Sequence, residues 1–439
     1  MGPTPLYDAL RAFAGQRPLR MHMPGHKGKS LGIPELSGGA ALDVTELTPT
    51  GDLFAGGGPI EGAEALWART FRMPGCLFLT GGSTQGIHAA LTLACRPGEA
   101  VLLDRGCHRS VYHALALLDL RPVYLTRPWL AETGVTGPIS PDEVERALTE
   151  HPDCRTVCIT SPTYYGVLSD IPALAERVHR CGGTLVVDGA HGAHLPFLGI
   201  DHLSAADLAV VSAHKTLPAP GQTALLLGGA AFPQEELRRV GAIYGSSSPS
   251  YLLMAALDVC RAWMEGEGAA AYRRAAELVR RLRTRLPALT EADAPLDPTR
   301  FVFCTPDGFA ARRALEADGI YVELADRGHV VCIVTCMDTG EELERLYRAL
   351  AALPGGRDGG YPPPPPLPEQ VISSRTAFFA PRERIPLARA AGRIAAGQVA
   401  PYPPGVPVAA PGERIEKKTV AYLRQIGYNM EEGIPVLPL

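Results

Sequence analysis

Several absences narrow what this chain can do. No apolar run in its 439 residues approaches the roughly 20 needed to cross a bilayer. Met1-Gly2-Pro3-Thr4-Pro5 has no basic stretch leading into an apolar core, so no secretory signal is expected. A formal net charge of -4 offers no basic field to nucleic acid or to an anionic membrane surface. Among the ten cysteines there is no CxxC pair. Cys154/Cys158 and Cys332/Cys336 lie in apolar runs and read as small buried hydrophobes, so no metal site is expected. A reduced, cytoplasmic setting fits this cysteine usage. Internal repeats are absent. What remains is an ordinary globular composition, 46% hydrophobic and 20% charged, long enough for two or three domains.

The most informative stretch is Asp207 to Thr216. An apolar run, Leu208-Ala209-Val210-Val211, reads as a buried strand and ends in Ser212, His214 and Lys215. Pro218, Pro220 and Gly221 follow, which places the lysine on a constrained turn. Upstream, Thr184-Leu185-Val186-Val187 is a second buried run that delivers Asp188 at its own end. In open α/β sheets, ligands gather outside the carboxyl ends of strands. A lysine and an acid brought to that edge by successive strands match the needs of pyridoxal phosphate. Lys215 would form the Schiff base and Asp188 would pair with the pyridinium nitrogen.

Other segments supply the rest of such a site. A short strand at 77–79 runs into Thr80-Gly81-Gly82-Ser83-Thr84, followed by a helix from Ile87 to Ala94. Backbone N–H groups and hydroxyls at such a helix start form an anion site. Gly106-Cys107-His108-Arg109-Ser110 opens a helix, and an imidazole there can stack on a flat ring or cap the helix. Residues 43–62 form a long loop with five glycines and the acids Asp43, Glu46 and Asp52; long structureless loops tend to be functional. Strands alternating with helices over 75–230 predict an α/β fold with one mostly parallel sheet. A long helical stretch reaches about residue 286. A smaller α+β pattern over 300–353 has strands near 301–304, 320–323 and 329–335. The five segments expected are an arm (1–30), a large domain (31–260), a small domain (261–353), a Pro/Gly linker (354–368) and a C-terminal domain (369–439).

In this order, the runs HMPGHKG (22–28), DVTEL (43–47), GGST (81–84), CHRS (107–110), SPTYYG (161–166), DGAHGAH (188–194), SAHK (212–215), SPSYLL (248–253) and AGRIAAGQVAPYPPGVPVAAPGE (391–413) resemble the Orn/Lys/Arg decarboxylases. The likeness is to the shorter, Gram-positive-type arginine or lysine enzymes. It implies pyridoxal phosphate fold type I (aspartate-aminotransferase-like), a small α+β domain, a C-terminal domain, and a homodimer with sites at its interface. It also implies decarboxylation of a basic amino acid to a diamine or agmatine, as in polyamine biosynthesis. By resemblance, His108 stacks on the cofactor ring, Ala190 packs beneath it and His191 lies close by. Gly82, Ser83, Thr84, Ser212 and His214 surround the phosphate, joined by Ser247 from a second subunit. Lys215 or His191 returns the proton to Cα.

The chain departs from the family pattern at three places. Gly189 stands where an acid usually follows the pyridine-binding aspartate. Pro49-Thr50-Gly51-Asp52-Leu53-Phe54 replaces a run close to GLDDLH, and Arg389-Ala390 precedes AGRI. A cationic substrate needs carboxylates, and Glu46, Asp52 and Glu323 are the candidates that remain. Two other outcomes stay open. An aminotransferase or lyase would use an arginine clamp such as Arg375 or Arg393, and a regulatory homologue would bind the cofactor without turnover.

Overall fold

The computed structural model describes residues 2–30, 37–357, 362–401, 405–428 and 433–439. Residues 358–361 of the expected linker lie outside that set, as do Tyr402, Pro403 and Pro404 of the second proline cluster. The α/β strands, in chain order, are β1 (Gly75–Leu79), β2 (Ala100–Asp104), β3 (Arg121–Leu125), β4 (Cys154–Thr160), β5 (Thr184–Asp188), β6 (Leu208–Ser212) and β7 (Ala224–Gly228). Contacts divide the chain into two compact units. One comprises Met1–Leu93, Val186–Arg274 and Thr335–Met337; the other comprises Ala94–Leu185, Ala275–Val334 and Asp338–Leu439.

In the first unit β5 and β6 run parallel, as continuous apolar runs buried on both faces predict. β7 is antiparallel to both β6 and β1. β1 is an edge strand, yet its outward N–H groups are satisfied. Cys76 N donates to Gln234 Oε1 and Phe78 N to Glu64 Oε1. Glu64 is held in turn by Arg238 at 2.8 Å. Covering the edge in this way removes a template for aggregation. The helix after β1 begins at Gly82, not at Ile87, so Ser83 and Thr84 belong to its first turn. It presses close on the sheet because Gly86 has no side chain: a Cβ there would lie 2.6 Å from Leu79 Cδ1 and 2.7 Å from Val210 Cγ1. The long helical stretch is broken. Tyr251–Trp263 and Ala269–Arg285 are joined by a wide turn, Met264–Gly268, with Gly266 at φ -99° and ψ -105°.

In the second unit β4, β2 and β3 are parallel neighbours. Asp104, at the end of β2, is buried against Arg127 at 2.7 Å. A separate antiparallel sheet orders Arg300–Cys304, His329–Ile333 and Leu324–Ala325. The strand expected at 320–323 is thus displaced to Leu324–Ala325, and Tyr321 is exposed. A cluster around Ile385, Val399, Ile415, Leu423 and Val436 forms the C-terminal core, with the pair Glu383–Ile385 and Ile434–Val436. The α/β part with a mostly parallel sheet, the smaller α+β part and the C-terminal part are therefore as expected. None of the ten cysteines forms a disulfide, and all but Cys181 are buried. Among the described residues, no helix is long and apolar enough to cross a membrane.

Candidate active site

Register brings three strand ends to one edge of the first unit. Leu79 pairs with Ala224 and Ala224 with Ser212, so the segments after β1 and β6 leave the sheet at the same level. Asp188 pairs with Val210, two residues short of that level, on the neighbouring strand. Adjacent strands lie about 4.8 Å apart, so lysine turn, carboxylate and anion-binding helix start share one edge.

Lys215 sits on a single helical turn, Ala213–Thr216, closed by Leu217 N donating to Ala213 O at 2.7 Å. Pro218, Pro220 and Gly221 lie just beyond it, in a segment closed by Ala219 N donating to Leu217 O at 2.7 Å and Thr223 N to Pro220 O at 3.3 Å. Lys215 Nζ lies 3.2 Å from His191 Nε2. His191 itself is buried, as is Asp188. Ala190 is buried too, and its N–H donates to Asp188 Oδ1 at 3.1 Å, an Asx turn that orients the carboxylate. Before the lysine, His214 Nδ1 lies 2.9 Å from the Thr223 carbonyl and so must donate to it.

The phosphate candidates fall at the same edge. Gly82 N donates to Gln222 O at 2.9 Å, and Gly82 has φ +74°. Ser83 is half-buried and Thr84 exposed, both in the first turn, where helices leave N–H donors without an intrahelical partner. Ser212 Oγ is buried with no hydrogen-bond partner among the described residues, and so is Thr216 Oγ1. A buried hydroxyl of that kind is costly unless something else satisfies it. A lysine amine, a buried carboxylate, an orphaned serine hydroxyl and a helix N-terminus fit pyridoxal phosphate. Ser247 is exposed on the 245–249 loop.

The three candidate acids differ in how far they are committed. Asp52 Oδ1 accepts from Phe54 N and Ala55 N at 2.9 and 3.1 Å, so it shapes its own loop. Glu46 Oε2 accepts from Thr45 Oγ1, but Glu46 Oε1 is buried with no partner among the described residues. Tyr251 donates its hydroxyl to Gly51 O. Burial first, then the nearby Glu46 carboxylate and the smaller effect of Asp52, holds its phenol well above the usual range. Glu323 is exposed and belongs to the second unit.

His108 also belongs to the second unit. It caps the helix Arg109–Leu118: its Nδ1 accepts from Ser110 N, with Ser110 Oγ at 2.9 Å. Nδ1 therefore carries the lone pair and Nε2 the proton. Neither expected arginine is available as a carboxylate clamp. Arg375 donates to the carbonyls of Ala116 and Leu117, capping that same helix, and Arg393 binds Glu383 and the Leu437 carbonyl. One residue near the lysine escaped sequence reasoning. Tyr272, on the helix Ala269–Arg285, donates its hydroxyl to the Thr216 carbonyl.

The Orn/Lys/Arg decarboxylase major domain matches residues 4–300, and the C-terminal domain of the same family matches 367–435. An arginine decarboxylase of Bacillus subtilis is 30% identical over 99% of this chain and 95% of its own length. A lysine decarboxylase of Pseudomonas aeruginosa is 24% identical over 96% of this chain and 71% of its own. Among solved structures, the lysine decarboxylase of Francisella novicida superposes with a TM-score of 0.85 at 20% identity, covering 99% of this chain and 81% of that one. An alanine–glyoxylate aminotransferase from Nostoc sp. superposes with a TM-score of 0.55, also at 20% identity, over 66% of this chain and 85% of that one. These structural likenesses establish fold type I. With the major domain matched over more than half of the residues, and a relative aligned almost end to end, the chain belongs to the Orn/Lys/Arg decarboxylase family.

Proposed function

We propose that this protein binds pyridoxal phosphate and removes the α-carboxylate of arginine, lysine or ornithine as CO2, leaving agmatine or the corresponding diamine. The observation that carries the assignment is the Lys215 amine, 3.2 Å from His191, at the edge where Asp188 and the orphaned Ser212 hydroxyl also lie. When bound, the cofactor supplies a sink for the electron pair that decarboxylation leaves on Cα.

The chain's own residues divide the remaining work. Lys215 anchors the cofactor through its amine. Asp188, buried and oriented by the Ala190 N–H, keeps a proton on the pyridine nitrogen. Ser212, His214, Gly82, Ser83 and Thr84 hold the phosphate. Ala190 would pack against the ring, and the stacking role of His108 rests on the family resemblance alone. Ser247 completes the phosphate shell from a second copy of the chain, and the working form is a homodimer. His191 Nε2 and Lys215 Nζ act as a single proton-sharing pair that returns a proton to Cα. Glu46 receives the cationic end of the substrate. It is the acid with a water-shielded oxygen left uncommitted, whereas Asp52 is spent on its own loop and Glu323 is exposed. The organisation is an arm, a large domain, a small domain, a linker and a C-terminal domain with the boundaries given above. The setting is the cytoplasm, and the product enters polyamine formation.

The test is direct. Purified protein is supplied with pyridoxal phosphate and with arginine, lysine, ornithine and several neutral amino acids, and both CO2 and amine are measured. Release from at least one basic amino acid and none from the neutral ones is expected. Cofactor binding without CO2 from any of them would leave a regulatory homologue. Transfer of the amino group without CO2 would leave an aminotransferase.

A further inference from the structure

The peptide that follows Lys215 is held from outside its own turn. A helical turn of four residues has no later turn to donate N–H groups to its last carbonyls, and such groups need another donor. At Thr216 that donor is the Tyr272 hydroxyl, 56 residues further along the chain. Tyr272 is completely buried. Its ring lies against the His194 ring, with centroids 5.0 Å apart and planes 25° from parallel. His194 is also completely buried, and it ends the DGAHGAH run that begins with Asp188 and contains His191. Tyr272 thus touches the lysine turn with its hydroxyl and the aspartate–histidine segment with its face. On the other side of Lys215, His214 is fixed to the Thr223 carbonyl by its backbone N–H at 3.4 Å as well as by its Nδ1 at 2.9 Å. The backbone on both sides of the lysine is therefore anchored.

We propose that Tyr272 is a positioning residue for Lys215: its hydroxyl on the Thr216 carbonyl and its ring on His194 set where the lysine amine stands relative to His191 and Asp188. The assignment rests on the reading of Lys215 as the cofactor-anchoring lysine. Anchoring is a condensation: the amine attacks the cofactor aldehyde, a C=N bond forms and water leaves. Small errors in where a reacting group stands cost large factors in rate, so a lost backbone clamp is felt in kinetics before it is felt in folding.

The experiment uses Tyr272→Phe, which keeps the ring and removes the hydroxyl. Cofactor is stripped from wild type and variant, pyridoxal phosphate is added back, and the visible band of the C=N linkage is followed in time. Borohydride reduction and peptide mapping then report which lysine is labelled. The expected result is label on Lys215 in both proteins, with attachment in the variant slowed about tenfold. A similar fall in kcat at unchanged KM is expected, because the substrate's own contacts are untouched. A purely structural role would lower the amount of folded protein but leave the attachment rate per site as it was. Attachment and kcat within about twofold of wild type overturn the proposal. Wild-type label on a lysine other than Lys215 overturns the underlying assignment as well, so the two failures are distinct. If Tyr272→Phe does not fold, His194→Leu replaces it; the same slowing is expected, and unchanged attachment again overturns the proposal.

Discussion

The amine of Lys215 and Nε2 of His191 stand 3.2 Å apart, although the two residues are 24 positions apart in the chain. At that distance one nitrogen must offer a lone pair and the other a proton, so the two groups cannot both be fully protonated without strong repulsion. Replacing His191 by Phe removes the ring nitrogen that shares this proton but keeps a flat ring of similar size. Turnover is expected to fall about 10²- to 10⁴-fold, the usual range for a lost acid–base group. Cofactor content, read from the visible absorbance of the purified variant, should stay close to wild type. A variant that turns over normally removes His191 from the proton path.

Asp188→Ala tests the other end of the ring. The carboxylate is buried and oriented by the Ala190 N–H, and on the proposed reading its loss would leave the pyridine nitrogen without an acidic partner. Turnover should fall at least about 100-fold while bound cofactor falls far less, because Lys215 and the phosphate donors remain. Parallel measurement of kcat and cofactor stoichiometry separates these effects.

How much of this was legible depends on what each feature leaves in the sequence. β5 and β6 were readable because strands buried on both faces become continuous apolar runs, and Asp188 and Lys215 follow from where those runs stop. The antiparallel course of β7 was not readable: Ala224-Leu225-Leu226-Leu227 is as apolar in one direction as in the other. The helix start was placed five residues late because Gly, Ser and Thr disfavour helix interiors, although they suit a first turn. Ile320-Tyr321-Val322 has the composition of a strand, yet the pairing falls on Leu324 and Ala325 beyond it. Tyr272 left no trace, since its acceptor is a backbone carbonyl and carbonyls have no sequence signature.

Glu46 and Asp52 should respond differently to replacement. Glu46→Gln keeps size and removes charge where one oxygen has no partner among the described residues. KM for the basic substrate is expected to rise about tenfold, or roughly 1.4 kcal/mol, with kcat little changed. Asp52→Ala loses the acceptor for Phe54 N and Ala55 N, so it should cost about 1 kcal/mol of stability and leave KM nearly as it was. Steady-state kinetics and urea titration on the two variants decide between them. Equal KM effects would place both acids at the substrate.

In the second unit, His329 makes the folded state sensitive to alkali. Its Nδ1 faces the Asp326 carboxylate at 3.0 Å and its Nε2 faces the Thr133 carbonyl at 2.8 Å, so both ring nitrogens must donate. Asp326 also accepts from Gly328 N, His329 N and the Tyr165 hydroxyl. Burial alone would lower the imidazole pKa, but the Asp326 hydrogen bond and charge outweigh it and bring the value up to about 10. The folded pKa therefore lies above the unfolded value, and the stabilisation is complete below about pH 6.5. It is lost as pH rises from there towards 10, at up to about 1.4 kcal/mol per pH unit. Urea unfolding at pH 6, 8 and 10 should show the wild-type midpoint falling across this range. His329→Gln, which breaks the buried pair, should be less stable by about 3 kcal/mol at pH 6. The gap between variant and wild type should then narrow as pH rises, because above about pH 6.5 the unfolded histidine has released the proton that the folded one still holds, a cost the glutamine never carries.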